Sequence, residues 1–247
     1  MPLPPRRVLR TFKYAVYFDE VNAYVQVPYI SVFNQQAFTV MGWISQLNVK
    51  QDNVLFTTCD SFANDRCLHL VIRNGYPYLG FWADDLHGRR YLGTNMFYHL
   101  TFIWEGLATK LQKIYVDAVL DNRRVSSGLL TVTSGSVTGN GGWIGRAWDR
   151  YHCGFIFQVL IYSRALSDSE IQYNYQYPDN PVRNGLVLWL QADPQYIKDI
   201  DGDGRLEWID LSGYNNHGKI YGAQLVQLPI KTPSRVLKPV RILKPVR

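Results

Sequence analysis

The sequence predicts an all-β chain folded as an antiparallel two-sheet β-sandwich, and three observations carry that expectation. Aromatic residues make up 14% of the 247 residues, with 17 Tyr and 7 Trp, and such side chains favour the pleated, half-buried surface of strands. Apolar residues fall in short runs separated by Gly, Asn, Asp and Ser clusters, which is strand-and-turn spacing. Residues 97–104 and 111–118 alternate in the period of two expected of a half-buried strand. The length suits one such domain with additions.

Taken in order, residues 1–13 contain three prolines and four bases and read as an extended basic arm. Residues 14–18, 19–22 and 23–28 read as strand, polar turn and strand. The run 38–44 is apolar enough to be buried on both faces, and 54–58 with 68–72 flank a loop that begins at Cys59 and ends at Cys67. Those two thiols are spaced to bridge across a hairpin, a point the sequence leaves open, and Cys153 reads as a small buried hydrophobe. Asn74-Gly75 signals a type I′ turn, because both residues tolerate positive φ. Residues 76–82 continue the meander, 83–93 are polar enough for a rim loop, and His99 reads as a packed strand histidine. Residues 129–133 read as a short strand and 155–162 as one long enough to cross a sandwich. Ser167 and Glu170 have the spacing of a capping box at a helix start.

Several of these runs, in this order, resemble the laminin G-like jelly rolls of the concanavalin A-like lectin/glucanase superfamily. The resemblance rests on Phe18-Asp19, 24–28, 38–43, Tyr98-His99, 111–118 and the strand-to-helix run 143–171, and it covers 14–178. Glu20 and Ala118 stand where the family has glycine, and Tyr98 where it has tryptophan. The fold it implies is a concanavalin A-like jelly roll. Residues 179–229 then carry Gly185 to Leu190, Trp208 to Gly213 and Asn216-His217-Gly218, which in that family precede the first hairpin. This strand segment is too short for a second jelly roll. It therefore either completes its own domain as a circular permutation or is donated to a neighbouring copy.

The net charge of +6 belongs to the ends. Residues 1–13 carry four bases and 230–247 carry six, with no acid in either, so the body between them stands at −4. Such a body gives no sign of specific nucleic-acid recognition. No apolar run is long enough to span a membrane, and the N-terminus has no secretory apolar region. The basic, Pro-containing tail 230–247 repeats an Arg-aliphatic-Leu-Lys-Pro-Val unit. With Arg6, Arg7 and Arg10, its Arg235, Lys238, Arg241, Lys244 and Arg247 read as assembly arms that dock on other copies or on neighbouring structural subunits.

The sharpest chemical signal lies in 199–210. Carboxylates at Asp199, Asp201, Asp203, Glu207 and Asp210 fall at positions one, three, five, nine and twelve, and Gly204 and the Arg205 carbonyl fall at six and seven. That is the oxygen spacing of a calcium loop, so a bound calcium ion (Ca2+) is expected. Asp210 stands where the usual glutamate would be, as in dockerin modules. For a sugar, Trp82 and Trp148 offer stacking faces, with Asp84, Asp85, Arg89, Asp149 and Tyr151 as partners. No strand carries the alternating acids of the glucanase branch, and no nucleophile elbow or phosphate loop occurs, so the chain is not expected to be an enzyme. The leading expectation is a calcium-stabilised structural or surface-interaction protein in a virion shell or extracellular surface fibre. The alternative is a carbohydrate-binding adhesion module, and the weakest is a degenerate glycosidase.

Overall fold

The computed structural model describes residues 12–228 and the backbone of 241–242. Of the predicted arm residues, Arg6, Arg7, Arg10, Arg235, Lys238, Lys244 and Arg247 lie outside the described residues. The strands are β1 (Tyr14–Asp19), β2 (Tyr24–Pro28), β3 (Phe38–Gln46), β4 (Asn53–Cys59), β5 (Cys67–Arg73), β6 (Tyr76–Gly80) and β7 (Leu86–His87). They continue with β8 (Phe97–Trp104), β9 (Leu111–Val116), β10 (Val119–Val125), β11 (Gly141–Ile144), β12 (Arg146–Ala147), β13 (Arg150–Tyr151) and β14 (Cys153–Tyr162). After helix α1 (Asp168–Gln176) come β15 (Leu186–Gln191), β16 (Ile197–Lys198), β17 (Glu207–Trp208), β18 (Gly218–Tyr221), β19 (Gln224–Gln227) and β20 (Arg241–Ile242).

Two antiparallel sheets form the sandwich. Sheet A runs β10-β9-β8-β3-β14-β1-β19-β20, and sheet B runs β16-β17-β18-β2-β11-β4-β5-β6-β7. Alternation along each strand sends one set of side chains inward. From β5, Leu68, Leu70 and Ile72 enter the main core while Val71 joins a small cluster outside it.

The C-terminal segment contributes to both sheets. On one edge of β14, β1 pairs with Cys153 to Ile156, and β15 pairs with Gln158 to Tyr162. In sheet B, β18 pairs with β2, and the Trp208 side chain is fully buried in the core. Arg241 pairs with Gln227 through the backbone at the edge of sheet A.

Helix α1 closes the outer face of sheet A. Ser167 caps it, accepting from Glu170 N, while the Glu170 carboxylate accepts from Ser167 N at 2.9 Å. Arg164 grips that carboxylate with two hydrogen bonds of 2.6 and 2.9 Å, which holds Glu170 down to about 2. Tyr175 stacks on Trp43 with centroids 5.2 Å apart, and Phe12 stacks on Phe157 at 4.7 Å. His99 is fully buried beneath them, and burial pushes its pKa down to about 3.

Three local expectations are corrected. Residues 129–133 form no strand; a single bridge, Asn34 to Thr131, marks the place, because their backbone groups bond to loops at Phe33, Gln35 and Asp65. Residues 83–93 include the two-residue β7, which pairs with β6. Cys153 is half-buried, because it starts β14 opposite Asp19 at the rim, and burial followed by the nearby Glu20 pushes its thiol up to about 12. Cys59 and Cys67, directly opposed on β4 and β5, form a disulfide.

Candidate functional site

The outer face of sheet B is built differently. After β11, Gly145 adopts φ 80, and a Cβ there would lie 2.3 Å from the Phe18 ring, so the position demands glycine. The chain then folds back as the β12–β13 hairpin, whose Arg146 opposes Tyr151 and whose Ala147 packs with Val54 and Val71. Lys50 Nζ donates to the Tyr151 carbonyl and pairs with Glu20 at 3.1 Å, which ties the hairpin down. Two aromatic groups meet at this hairpin.

The first group surrounds His69. Trp82 and Trp148 meet edge to face at 5.3 Å, Phe62 stacks on Trp82 at 5.3 Å, and the His69 ring lies 5.5 Å from Trp148. Phe62 is 43% exposed. Three neighbouring backbones are left-handed without being glycine: Trp82 at φ 66, Ala83 at φ 84 and Trp148 at φ 36. Such residues cost about 1–2 kcal/mol each and cluster where side-chain placement matters more than stability. Beneath them His69 is 2% exposed, and among the described residues its Nδ1 finds no hydrogen-bond partner. Burial, aided by Arg73, pushes its pKa down to about 4, so the imidazole is neutral at pH 7. Gly80 opposes it across the sheet, and a Cβ there would fall 2.1 Å from Nε2, so the ring fits only against glycine.

The second group is a ladder of stacked cations and rings. Arg205 lies over Tyr221 at 4.4 Å, Tyr221 stacks on Tyr24 at 4.7 Å and 2°, and Arg146 lies 4.8 Å from Tyr24. The Arg146 guanidinium also lies 4.0 Å from the Trp143 ring and 5.4 Å from the Tyr151 ring. Trp143 Nε1 donates to Gln26 Oε1 at 2.6 Å.

Of the residues expected to meet a sugar, the structure brings Trp82 and Trp148 together and leaves Asp149 exposed beside Arg150 at 3.4 Å. Tyr151 joins the ladder instead. Asp84 is corrected as a sugar partner because its oxygens are already taken, whereas Asp85 is only partly committed. Asp84 is 4% exposed and accepts from Arg124, Ser126, Ser127 and Gly128. Burial works to raise its pKa, but those hydrogen bonds hold it below the usual carboxylate value. Asp85 accepts from Tyr78 Oη at 2.6 Å and Phe81 N at 2.8 Å. Arg89 is exposed, and its N–H donates to Asp121. Phe62, His69, Tyr24, Tyr221 and Arg146 were not singled out from sequence. Alternation places Tyr24 and Tyr221 outward, but their adjacency depends on β18 pairing with β2, with Tyr221 lying 197 positions after Tyr24, a pairing unreadable from spacing.

In the acidic loop, ligand oxygens of Asp199, Asp201 and Glu207 lie within 4.8 Å of one another. Asp199 accepts from Gly202 N at 2.8 Å and Gly204 N at 2.9 Å, while Lys219 Nζ binds Asp201 at 2.9 Å and Asp203 at 2.5 Å. Asp210 is corrected as a ligand. Its carboxylate faces the other way, accepting from Trp189 N, Ser212 and Asn216 N, because a bridge at Leu190 holds it against β15. The Arg205 side chain is committed to Tyr221.

Among curated proteins no sequence matches the chain. In structure it is similar to a candidate carbohydrate-binding protein from Bacteroides ovatus, at 17% identity and TM-score 0.69, over 88% of this chain and 61% of that one. The chain thus spans about three-fifths of that protein's length. It is also similar to domain 4 of AbnA, an extracellular arabinanase from Geobacillus stearothermophilus solved with arabinotriose, at 18% identity and TM-score 0.50, over 64% and 75%. At such identities these likenesses establish the fold. A laminin G-type family model, described as concanavalin A-like lectin/glucanases superfamily, matches residues 19–172, more than half of the chain. Two sheets in one sandwich, one capping helix and this match agree: the chain belongs to the concanavalin A-like lectin/glucanase superfamily.

Proposed function

We propose that the chain is a non-enzymatic carbohydrate-binding module whose outer sheet B face, centred on Phe62, Trp82 and Trp148, takes a glycan. The single observation that carries this reading is the partly exposed aromatic cluster held by three strained backbones over a buried, neutral histidine. Sugar rings present C–H faces that pack on aromatic surfaces, and hydroxyls that bond to polar groups at the edge. The structural likeness to a candidate carbohydrate-binding protein supports the same class. The Cys59–Cys67 disulfide suits an oxidising, extracellular setting. The assembly reading, a virion or fibre subunit, draws on the basic and partly apolar arms, most of whose residues lie outside the described residues.

A glycan array probed with the full chain and with Trp148→Ala tests the proposal. Specific binding that the substitution removes supports it, and equal signals from both proteins contradict it.

A second reading concerns calcium, favoured by the convergence of Asp199, Asp201 and Glu207. These three hard carboxylates fit the ion, whereas Asp210 does not contribute and Lys219 competes for Asp201 and Asp203. Calcium binding would stabilise the fold by mass action, by about 2.7 kcal/mol at a hundredfold excess over the dissociation constant, and so raise the melting temperature. An identical melt in EGTA and in calcium, together with no heat of binding, leaves only a loop neutralised by Lys219.

A further inference from the structure

Arg146 and Arg205 differ from the other cations that the sheet B face holds in ion pairs, because both stack on rings instead. Lys219 is paired with Asp201 and Asp203, Lys50 with Glu20, Arg73 with Asp52, and Arg150 with Asp149. Arg146 is half-buried, yet among the described residues no carboxylate lies within ion-pair distance of it. Its guanidinium is bracketed instead by the Trp143, Tyr24 and Tyr151 rings at 4.0, 4.8 and 5.4 Å, its Nε reaches the Trp148 carbonyl at 3.5 Å, and it also interacts with the Tyr24 hydroxyl, all of them neutral groups. A partly desolvated charge without a counter-ion is costly, and rings that fix its plane leave its fork preorganised for a planar acceptor. Gly145 and the anchored hairpin fix the backbone from which it projects.

From this geometry we infer that Arg146 is a specificity-determining residue that receives the oxyanion of an acidic glycan, carboxylate or sulfate, through its guanidinium fork. The inference rests on the glycan-binding reading of the same face and adds the charge class of the ligand. Arg146 and Trp148 belong to one hairpin, β12–β13 and its turn, so a sugar lying on the tryptophan cluster can extend its acidic group toward the guanidinium. Arg205, at the far end of the ladder, does not share this role, because it neighbours the acidic loop that holds Asp203. A charge-assisted, bidentate pair distinguishes an acidic glycan from its neutral counterpart by about tenfold or more in affinity.

The test uses the full chain on an array that carries sialylated, uronate and sulfated glycans, each beside its neutral counterpart. Calorimetry then follows the best pair with Arg146→Gln, Arg146→Lys and Arg205→Gln, with the melting temperature of each recorded. The expected result is a preference for the acidic member of about tenfold or more. Arg146→Gln should abolish that preference while leaving the neutral glycan's affinity in place. Arg146→Lys should keep the stacked cation but, lacking the fork, retain only part of the preference, and Arg205→Gln should change nothing. Comparison of the uronate and sulfate arms identifies which oxyanion is read. Acidic and neutral members binding equally well, or a preference that survives in Arg146→Gln, overturns the inference and leaves the glycan reading standing. Failure of every glycan to bind overturns both.

Discussion

The two outer faces of the sandwich use similar side chains for different ends. On sheet A, Trp43, His99 and Phe157 lie under Tyr175 of α1 and under Phe12, and every ring in that layer has a covering partner. On sheet B, Phe62, Trp82 and Trp148 pack against one another over His69, and Phe62 remains 43% exposed. Both faces hide an uncharged histidine. Only the second holds tryptophans on left-handed backbones. An aromatic-rich surface thus does not by itself mark a binding site; what separates the two is whether a further layer covers the rings and whether the backbone bears strain to place them.

The comparison breaks most visibly on sheet A. Tyr175→Ala removes a ring that is 5% exposed and stacked on Trp43. A loss of about 3 kcal/mol or more is expected from the cavity and the lost burial, read as a lower denaturation midpoint. Glycan affinity of the folded protein should not change.

The histidines provide an effect that grows as the pH falls. His99 and His152 are held near 3 and His69 near 4, all by burial, against an ordinary value of 6.5. Protons therefore bind the unfolded chain first. The stability is complete above pH 6.5 and declines as pH falls toward the folded values, by about 1.4 kcal/mol per pH unit for each histidine. Chemical denaturation at pH 7 and pH 5 should reveal this decline, and His99→Phe should make it shallower. Glu170, held near 2 by Arg164, adds a further loss only between about 4.5 and 2.

The smallest effect sharpens the comparison from the other side. Trp148→Gly relieves a backbone at φ 36, worth about 1 kcal/mol, and offsets part of the packing lost with the indole. Its stability should therefore remain nearer to the wild type than that of Trp148→Ala, while both lose glycan binding. A melt in which the glycine variant is the less stable of the two removes strain from the account.

Much of the sandwich was legible because its signals are local. Period-two runs located β8 and β9, Asn74-Gly75 located a turn whose two residues do take positive φ, and Ser167 with Glu170 located the start of α1. The site was legible only in part. Trp82 and Trp148 could be picked as aromatics in polar loops, but their meeting, 66 positions apart in the chain, depends on where the β12–β13 hairpin lies over β4. Asp84 and Asp85 looked like ligands because acidity is visible in sequence, whereas the Ser126 to Gly128 loop that consumes Asp84 is brought in from a distant turn. Asp210 fitted the calcium spacing by count, yet strand β15 claims it. Counting fixes separation along the chain and carries no information about which neighbour a carboxylate will face.

The most direct test of the central claim is a two-dimensional NMR titration of the full chain with the best glycan from the array, following backbone amides and tryptophan indole N–H groups. The account predicts shifts centred on the Trp82 and Trp148 indoles and on the amides of Phe62 and of β12–β13, with Trp43 and Tyr175 silent. Shifts centred on α1 and the outer face of sheet A, with the Trp82 and Trp148 indoles unmoved, would contradict it.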